Sequence, residues 1–169
     1  MRAEDLGNGP SSETSNSLAE DINQYRLEQG LQAIPVSVSL TKVAQAHVAD
    51  SEQNSFSNGC NLHSWSDQGD WTPCCYTNDH AQAQCMWDKP REISGGVYSG
   101  NGFEISAYNS RMITPQGALE GWQGSSGHHN VILNRDIWAD SNWQAMGAAV
   151  STHYAVVWFG MESDPAGSP

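Results

Sequence analysis

Basic residues are scarce in this chain. Seven Lys and Arg stand against nineteen Asp and Glu, for a formal net charge of -12 at pH 7. Nucleic acid and anionic membranes are bound through Lys and Arg, so neither is expected as a partner, while basic ligands remain open. The same acidity suits a surface that stays monodisperse outside a cell, and a monomer is expected. Long apolar runs are missing too: nothing approaches the roughly 20 residues that cross a bilayer, so no transmembrane segment is expected. The first fifteen residues lack the basic and apolar regions of a signal peptide. Nucleotide-binding loops are also absent. The glycine-rich EISGGVYSGNG, Glu92 to Gly102, has neither the ordered strand, GxGxxG and helix of a dinucleotide site nor the lysine of a phosphate loop, so no nucleotide cofactor is expected.

What the chain does have is enough for one domain: 169 residues and 18.4 kDa. Its four cysteines, Cys60, Cys74, Cys75 and Cys85, crowd into a stretch rich in Gly, Asn, Asp, Trp and Pro that would hold little structure unaided. Four cysteines allow three pairings. A vicinal bond is sterically awkward, which leaves Cys60 with either Cys74 or Cys75 and Cys85 with the other. A structural zinc site is the rival, but adjacent cysteines without a CxxC pair space tetrahedral ligands poorly. Disulfides imply an oxidising compartment, so a secreted or extracellular protein is expected, its signal peptide lying outside this sequence.

Taken in order, residues 1–16 have no periodicity and read as a disordered leader or linker. Ser17, with Glu20 three residues on, caps a helix from Leu18 to Gln29 that stops at Gly30. Pro35 breaks the connection to a second helix, begun by Ser39 or Thr41, with Leu40, Val43, Ala44, His47, Val48 and Ser51 at helical spacing. His47 reads as a packing or hydrogen-bonding residue of that face. The segment from Asn58 to His80 is too polar and turn-rich for a regular element, and His63 lies in it, close to Cys60. His80 reads as a cap or surface group before a short helix, Ala81 to Trp87, ended by Pro90. Glu104 sits in a brief extended run between large apolar residues, where a carboxylate demands a partner. Thr114-Pro115 opens a further helix with Ala118, Leu119 and Trp122 inward and Glu120 on the surface. Met146–Val150 and Tyr154–Phe159 form a hairpin turning at Ser151, Thr152 and His153. The SDPAGSP end reads as disordered.

In WQGSSGHHNVILN, Trp122 to Asn134, Ser125 or Ser126 caps a short helix holding His128 at its first turn. Adjacent helical residues point about 100° apart, so only one of His128 and His129 faces any one site.

These motifs resemble the CAP superfamily of cysteine-rich secretory proteins, venom antigens and plant pathogenesis-related proteins, and are most similar to its bacterial secreted, SCP-like members. TPQGALEGWQGSSGHHNVIL is similar to the bacterial signature of a Thr-Pro-led helix, a tryptophan and a Ser-x-Gly-His-x-x-x-Ile-Leu run. The resemblance matches His128 to the family's second cavity histidine, His63 in NLHSW to the first, and Glu104 in GFEIS to the glutamate of the Gly-Glu-Asn-Ile motif, with Glu92 in REISG a rival placement. It spans residues 17–161, with 60–85 as an unusual cysteine-rich insertion and 162–169 as a disordered tail. The implied fold is α/β, a three-layer α-β-α sandwich with a mixed or antiparallel central sheet. Ser125 stands where many eukaryotic members carry a second cavity glutamate, and the loss weakens any mechanism that needs two carboxylates.

His63, His128 and Glu104 are thus the candidate metal ligands, a set suited to zinc or another divalent ion with an open position for water. The same groups could instead form a hydrogen-bonded network in which Glu104 orients a histidine. The expected function is a secreted binding protein with a small-molecule, lipid or protein ligand, more a binder than an enzyme. The alternatives are a metal-dependent or His-assisted peptidase or esterase, for which Ser64, Ser125 and Ser126 are weak nucleophile candidates, a lipid- or sterol-binding module, and an adhesion module.

Overall fold

A computed structural model describes residues 12–169. The elements run α1 (Ser12–Glu28), α2 (Val38–Gln53), α3 (Ala83–Ile93), β1 (Phe103–Tyr108), α4 (Pro115–Gln123), α5 (Ser126–Leu133), a single 3-10 turn at Asp136–Trp138, β2 (Ala145–Val150) and β3 (Tyr154–Gly160). The sheet is antiparallel, ordered β1-β3-β2. β3 is therefore central and β1 is an edge.

Side-chain alternation along the strands divides the core between the two sheet faces. Ile105, Met146, Ala148, Val150, Val157 and Phe159 pack with Leu18 and Ile22 of α1 and with apolar residues of α4 and α5. Their neighbours Ala145, Ala149, Val156 and Trp158 pack with Leu40, Val43 and Ala44 of α2, with Met86 of α3 and with Trp65. The sheet is thus the middle of three layers. Its approach to α2 is so close at Gly147 that a Cβ there would lie 2.1 Å from the Leu40 carbonyl carbon. Only glycine lets the helix backbone rest on the strand.

Local chemistry explains the helix starts. The Ser37 hydroxyl accepts from Leu40 N–H at 2.9 Å, and the Thr114 hydroxyl from Gly117 N–H at 3.0 Å with Pro115 in the first turn. Asn134 ends α5 in the left-handed region, with φ at 52°.

Several boundaries differ from expectation. Of the 1–16 leader, residues 1–11 lie outside the described residues, whereas residues 12–16 already belong to α1, so Ser17 sits inside the helix and not at its cap. α3 runs through Pro90 to Ile93. A proline there removes one helical hydrogen bond, but Lys89 and Pro90 are both buried and Ser94 N–H still bonds the Pro90 carbonyl, so packing carries the helix past it. The polar 162–169 tail is tied down. Asp164 accepts from Ser37 Oγ at 2.6 Å, Ser39 N–H at 2.7 Å and Ser39 Oγ at 2.9 Å, and Val38 N–H donates to the Gly167 carbonyl. A carboxylate at the start of α2 meets free N–H groups and the positive end of the helix dipole, a long-range contact that local composition does not reveal.

Candidate functional site

Glu104 is the centre of the site. On β1 it pairs in register with Trp158 and points to the α2 face, where its side chain is completely buried. Isolating a carboxylate there would cost several kcal/mol, so its partners are the first question. Both oxygens are taken. Oε2 meets His47 Nδ1 in a short contact, and Oε1 accepts from His63 Nδ1 at 2.8 Å and from Ser106 Oγ at 3.0 Å.

His47, from the apolar face of α2, is also fully buried, and its Nε2–H donates to the Ser64 carbonyl at 2.9 Å. Each ring nitrogen therefore faces an acceptor, which favours the imidazolium. Burial opposes that charge, but the Glu104 charge and hydrogen bond, with Ser64 and Asp50, outweigh it and raise the His47 pKa. Burial likewise opposes ionisation of Glu104, yet His47 and then His63 hold its pKa down at about 2. The pair is an internal ion pair, with His47 stacked flat on Trp65 at 4.1 Å between ring centroids.

The loop carrying His63 has almost no regular structure and is held by cross-links. Disulfides join Cys60 to Cys75 and Cys74 to Cys85. Trp65 and Cys74 exchange backbone hydrogen bonds, Ser64 Oγ accepts from Tyr76 N–H at 2.9 Å, and Asp50 of α2 accepts from Ser66 N–H at 2.8 Å. His63 Nδ1 is committed to Glu104, so in the neutral ring it is Nε2 that carries the lone pair. This is how a carboxylate behind an imidazole sets its tautomer.

α5 supplies His128, whose Nδ1 lies 2.9 Å from Ser125 Oγ. Ser125 makes no capping hydrogen bond, its hydroxyl serving the imidazole instead. Burial, then repulsion from His63 when both rings are protonated, lowers the His128 pKa and so favours its neutral form. His129 turns away to α1, with Nε2 2.6 Å from the Tyr25 hydroxyl. Helix geometry thus separates the adjacent pair.

A cavity of about 460 Å³ beside the β1 edge brings His63, Glu104 and His128 together. Its walls are largely apolar, among them Met86, Trp87, Phe103, Val131 and Trp138, with Ile137 at the rim and 80% exposed. The rival glutamate, Glu92, is elsewhere. It sits 3.0 Å from the buried Lys89 ammonium and accepts from Thr72 N–H at 3.0 Å, anchoring the loop to α3.

Among the described residues no group of three or more His, Cys, Asp and Glu side chains is arranged to hold a metal. Glu104 has spent its oxygens on His47 and His63. The arrangement is the oriented-histidine network instead, with two imidazoles toward the cavity and the carboxylate behind one of them. Sequence reasoning gave His47 a packing or hydrogen-bonding role on its helix face but did not name Glu104 as its partner. The available signal was a buried carboxylate needing a counter-charge and a histidine on an apolar helix face. It also missed Tyr76 and took His80 for a cap or surface group. His80 is exposed, but it lines the cavity with its Nδ1 3.1 Å from the Tyr76 hydroxyl, in a left-handed conformation with φ at 61°.

Comparison with known proteins agrees with this architecture. The profile described as the cysteine-rich secretory protein family (CAP) matches residues 19–160. No curated protein matches the sequence. Among solved structures, the chain is similar to a cysteine-rich secretory protein of Staphylococcus aureus, with 15% identity and a TM-score of 0.58 over 95% of this chain and 42% of that one. It is similar to an outer surface protein of Borrelia burgdorferi, with 16% identity and a TM-score of 0.58 over 92% of this chain and 98% of that one. An extracellular protein of Bacillus anthracis containing an SCP domain gives 17% identity and a TM-score of 0.60 over 92% of this chain and 45% of that one. The chain thus spans less than half the length of the staphylococcal and anthrax proteins, and at these identities the likeness speaks for the fold.

Proposed function

The chain belongs to the cysteine-rich secretory protein family, and from that premise we propose that it is a secreted ligand-binding domain. Its cavity takes a molecule with an apolar body whose polar head meets His63 and His128. The observation that carries this reading is the cavity itself: an apolar wall ending at two imidazoles, one oriented by a buried carboxylate. Such a mix of apolar lining and a few convergent polar groups is the usual make-up of a small-molecule site. Two disulfides fit an oxidising compartment, and among the described residues no helix is long and apolar enough to cross a membrane.

A divalent ion, zinc first, belongs to the same proposal. The donors that fit it are the Nε2 atoms of His63 and His128, with Glu104 in the supporting position of a carboxylate–histidine–metal arrangement. Bound there, the ion would offer open positions to an electron-pair donor on the ligand. Calorimetric titration of metal-stripped protein with zinc tests this clause. One ion per chain is expected, with uptake abolished in the His63→Ala/His128→Ala double variant. No uptake, or uptake unchanged in that variant, removes the metal clause.

Hydrolysis draws on one contact, the 2.9 Å Ser125–His128 hydrogen bond. Activating a serine also calls for a group that orients the base and steadies its charge. Among the described residues no carboxylate bonds His128, and Glu104 and Ser106 meet His63 at the same nitrogen, Nδ1. Binding is therefore the better supported reading.

A further inference from the structure

Strands β1 and β3 carry a second pocket at the end away from the cavity. Glu104 faces the histidine cavity, whereas Tyr108, four residues on, pairs in register with Tyr154. At about 3.3 Å per residue the two places lie roughly 13 Å apart along the strand. The second pocket, of about 410 Å³, opens between the end of α2 with the residues following it, Ser51 to Phe56, and the side chains of Tyr108, His153 and Tyr154.

Three features of this pocket point the same way. Aromatic side chains line it: Tyr108 is 53% exposed, its ring 5.1 Å from that of the half-buried Tyr154 and inclined to it by 48°, and Phe56 lines the same space. Glu52 is anionic. Partial burial opposes its charge, but hydrogen bonds from His153 and Ser151 prevail and lower its pKa. Finally, α2 ends here with no basic side chain in its own last turn, so the negative end of its dipole lies at the pocket. Among the described residues no Lys or Arg lines the pocket, and His153, bonded to Glu52 at 2.9 Å, is its one basic group.

A carboxylate and a helix C-terminus repel an anion. A small bare metal ion would have to compete for Glu52 oxygens that already accept three hydrogen bonds. Aromatic rings beside a negative charge suit instead a large, weakly hydrated cation, attracted by the rings and the field together. We propose that this pocket binds the ammonium head of an organic cation, a quaternary or heavily methylated amine, at Tyr108, Tyr154 and Phe56 with Glu52 as counter-charge. The head could be that of a free amine or of a zwitterionic lipid.

Titration of the full chain with choline, followed by NMR of the tyrosine rings and by calorimetry, tests the assignment. Saturable binding is expected, with 3,3-dimethylbutan-1-ol, the neutral isostere, at least about tenfold weaker. Tyr108→Ala and Tyr154→Ala should each weaken choline by about fivefold or more, and Tyr108→Phe, which keeps the ring, by less than about twofold. Circular dichroism of each variant separates lost binding from lost fold. The His63→Ala/His128→Ala variant should bind choline unchanged, which keeps this outcome distinct from that of the cavity. No choline binding, equal binding of the isostere, or full binding by folded Tyr108→Ala and Tyr154→Ala would overturn the proposal. Sedimentation with phosphatidylcholine vesicles, reversed by choline, assigns the head to lipid; choline binding without sedimentation assigns it to a free amine.

Discussion

The β2–β3 hairpin and the loop from Asn58 to Gln82 are both well-defined parts of one site-bearing domain, and they reach that state by opposite means. The hairpin is nearly all apolar and buried from Ala145 to Gly160, so alternation alone sends its residues to two cores. The loop buries few side chains, Trp65, Cys74 and Tyr76 chief among them. Two disulfides and a few hydrogen bonds to α2 and α3 hold the rest. The hairpin is therefore a scaffold whose failure takes the fold with it. The loop is an attachment whose failure takes His63, and with it the cavity.

The severest test of this contrast is Gly147→Val. A side chain there meets the Leu40 backbone, which cannot rotate away as a side chain could, and the variant should not fold, as read by far-UV circular dichroism and soluble yield. A native-like spectrum would show that α2 does not rest on β2 as described. On the other side, Cys74→Ser/Cys85→Ser should cost about 2–4 kcal/mol by urea titration. Hydrogen exchange should rise in the loop while hairpin amides stay protected, and the His63 resonances should lose their dispersion. Equal loss of protection in both regions would contradict their separation.

The His47–Glu104 ion pair, which joins α2 to β1 beneath both regions, predicts a pH profile for metal-free protein. Glu104, with its pKa lowered from 4.5 to about 2, contributes stability above pH 4.5 that disappears as pH falls toward 2. The shift corresponds to something on the order of 3 kcal/mol. His47, with its pKa raised from 6.5, contributes stability below pH 6.5 that disappears as pH rises through the raised value. The two limbs describe one coupled pair and are not additive. Stability from this source should peak between about pH 4.5 and 6.5. Melting temperatures across pH 2–9 check it, and His47→Gln should flatten the alkaline limb. The smallest expected effect belongs to Ser125→Ala, within about 0.5 kcal/mol of the parent in stability, since Ser125 is partly exposed and makes no capping bond. A loss above about 1 kcal/mol would mean that Ser125 does more than orient His128.

What could be read in advance follows from how local each signal is. The α2 stripe, the Thr114-Pro115 start and the hairpin are patterns within a few residues, and the structure has all three. The separation of His128 from His129 needed only helix geometry. The site required more. His47 and Glu104 lie 57 residues apart, so nothing near either one announces the other. The cysteines were limited to two arrangements, and the choice of Cys60–Cys75 with Cys74–Cys85 came from the path of the loop around Trp65. Pro90 and the tail show packing overruling local preference, through burial at α3 and through Asp164 at the start of α2.

By itself, then, the sequence determined the acidic character, the element types of its strongly patterned segments and that only one of two adjacent histidines can face any one site, while the choice of His128 rested on the family resemblance. These depend on composition and on backbone periods that operate over single turns and pleats. Tertiary structure alone decided that Glu104 stands behind His63 with His47 at its other oxygen, the oriented-histidine network that the sequence left as one of two arrangements. It also decided that Tyr108 and Tyr154 meet the end of α2. Hydrogen bonds and ring contacts reach only a few ångströms, and distant residues come within that reach only when strand register and helix packing place them there.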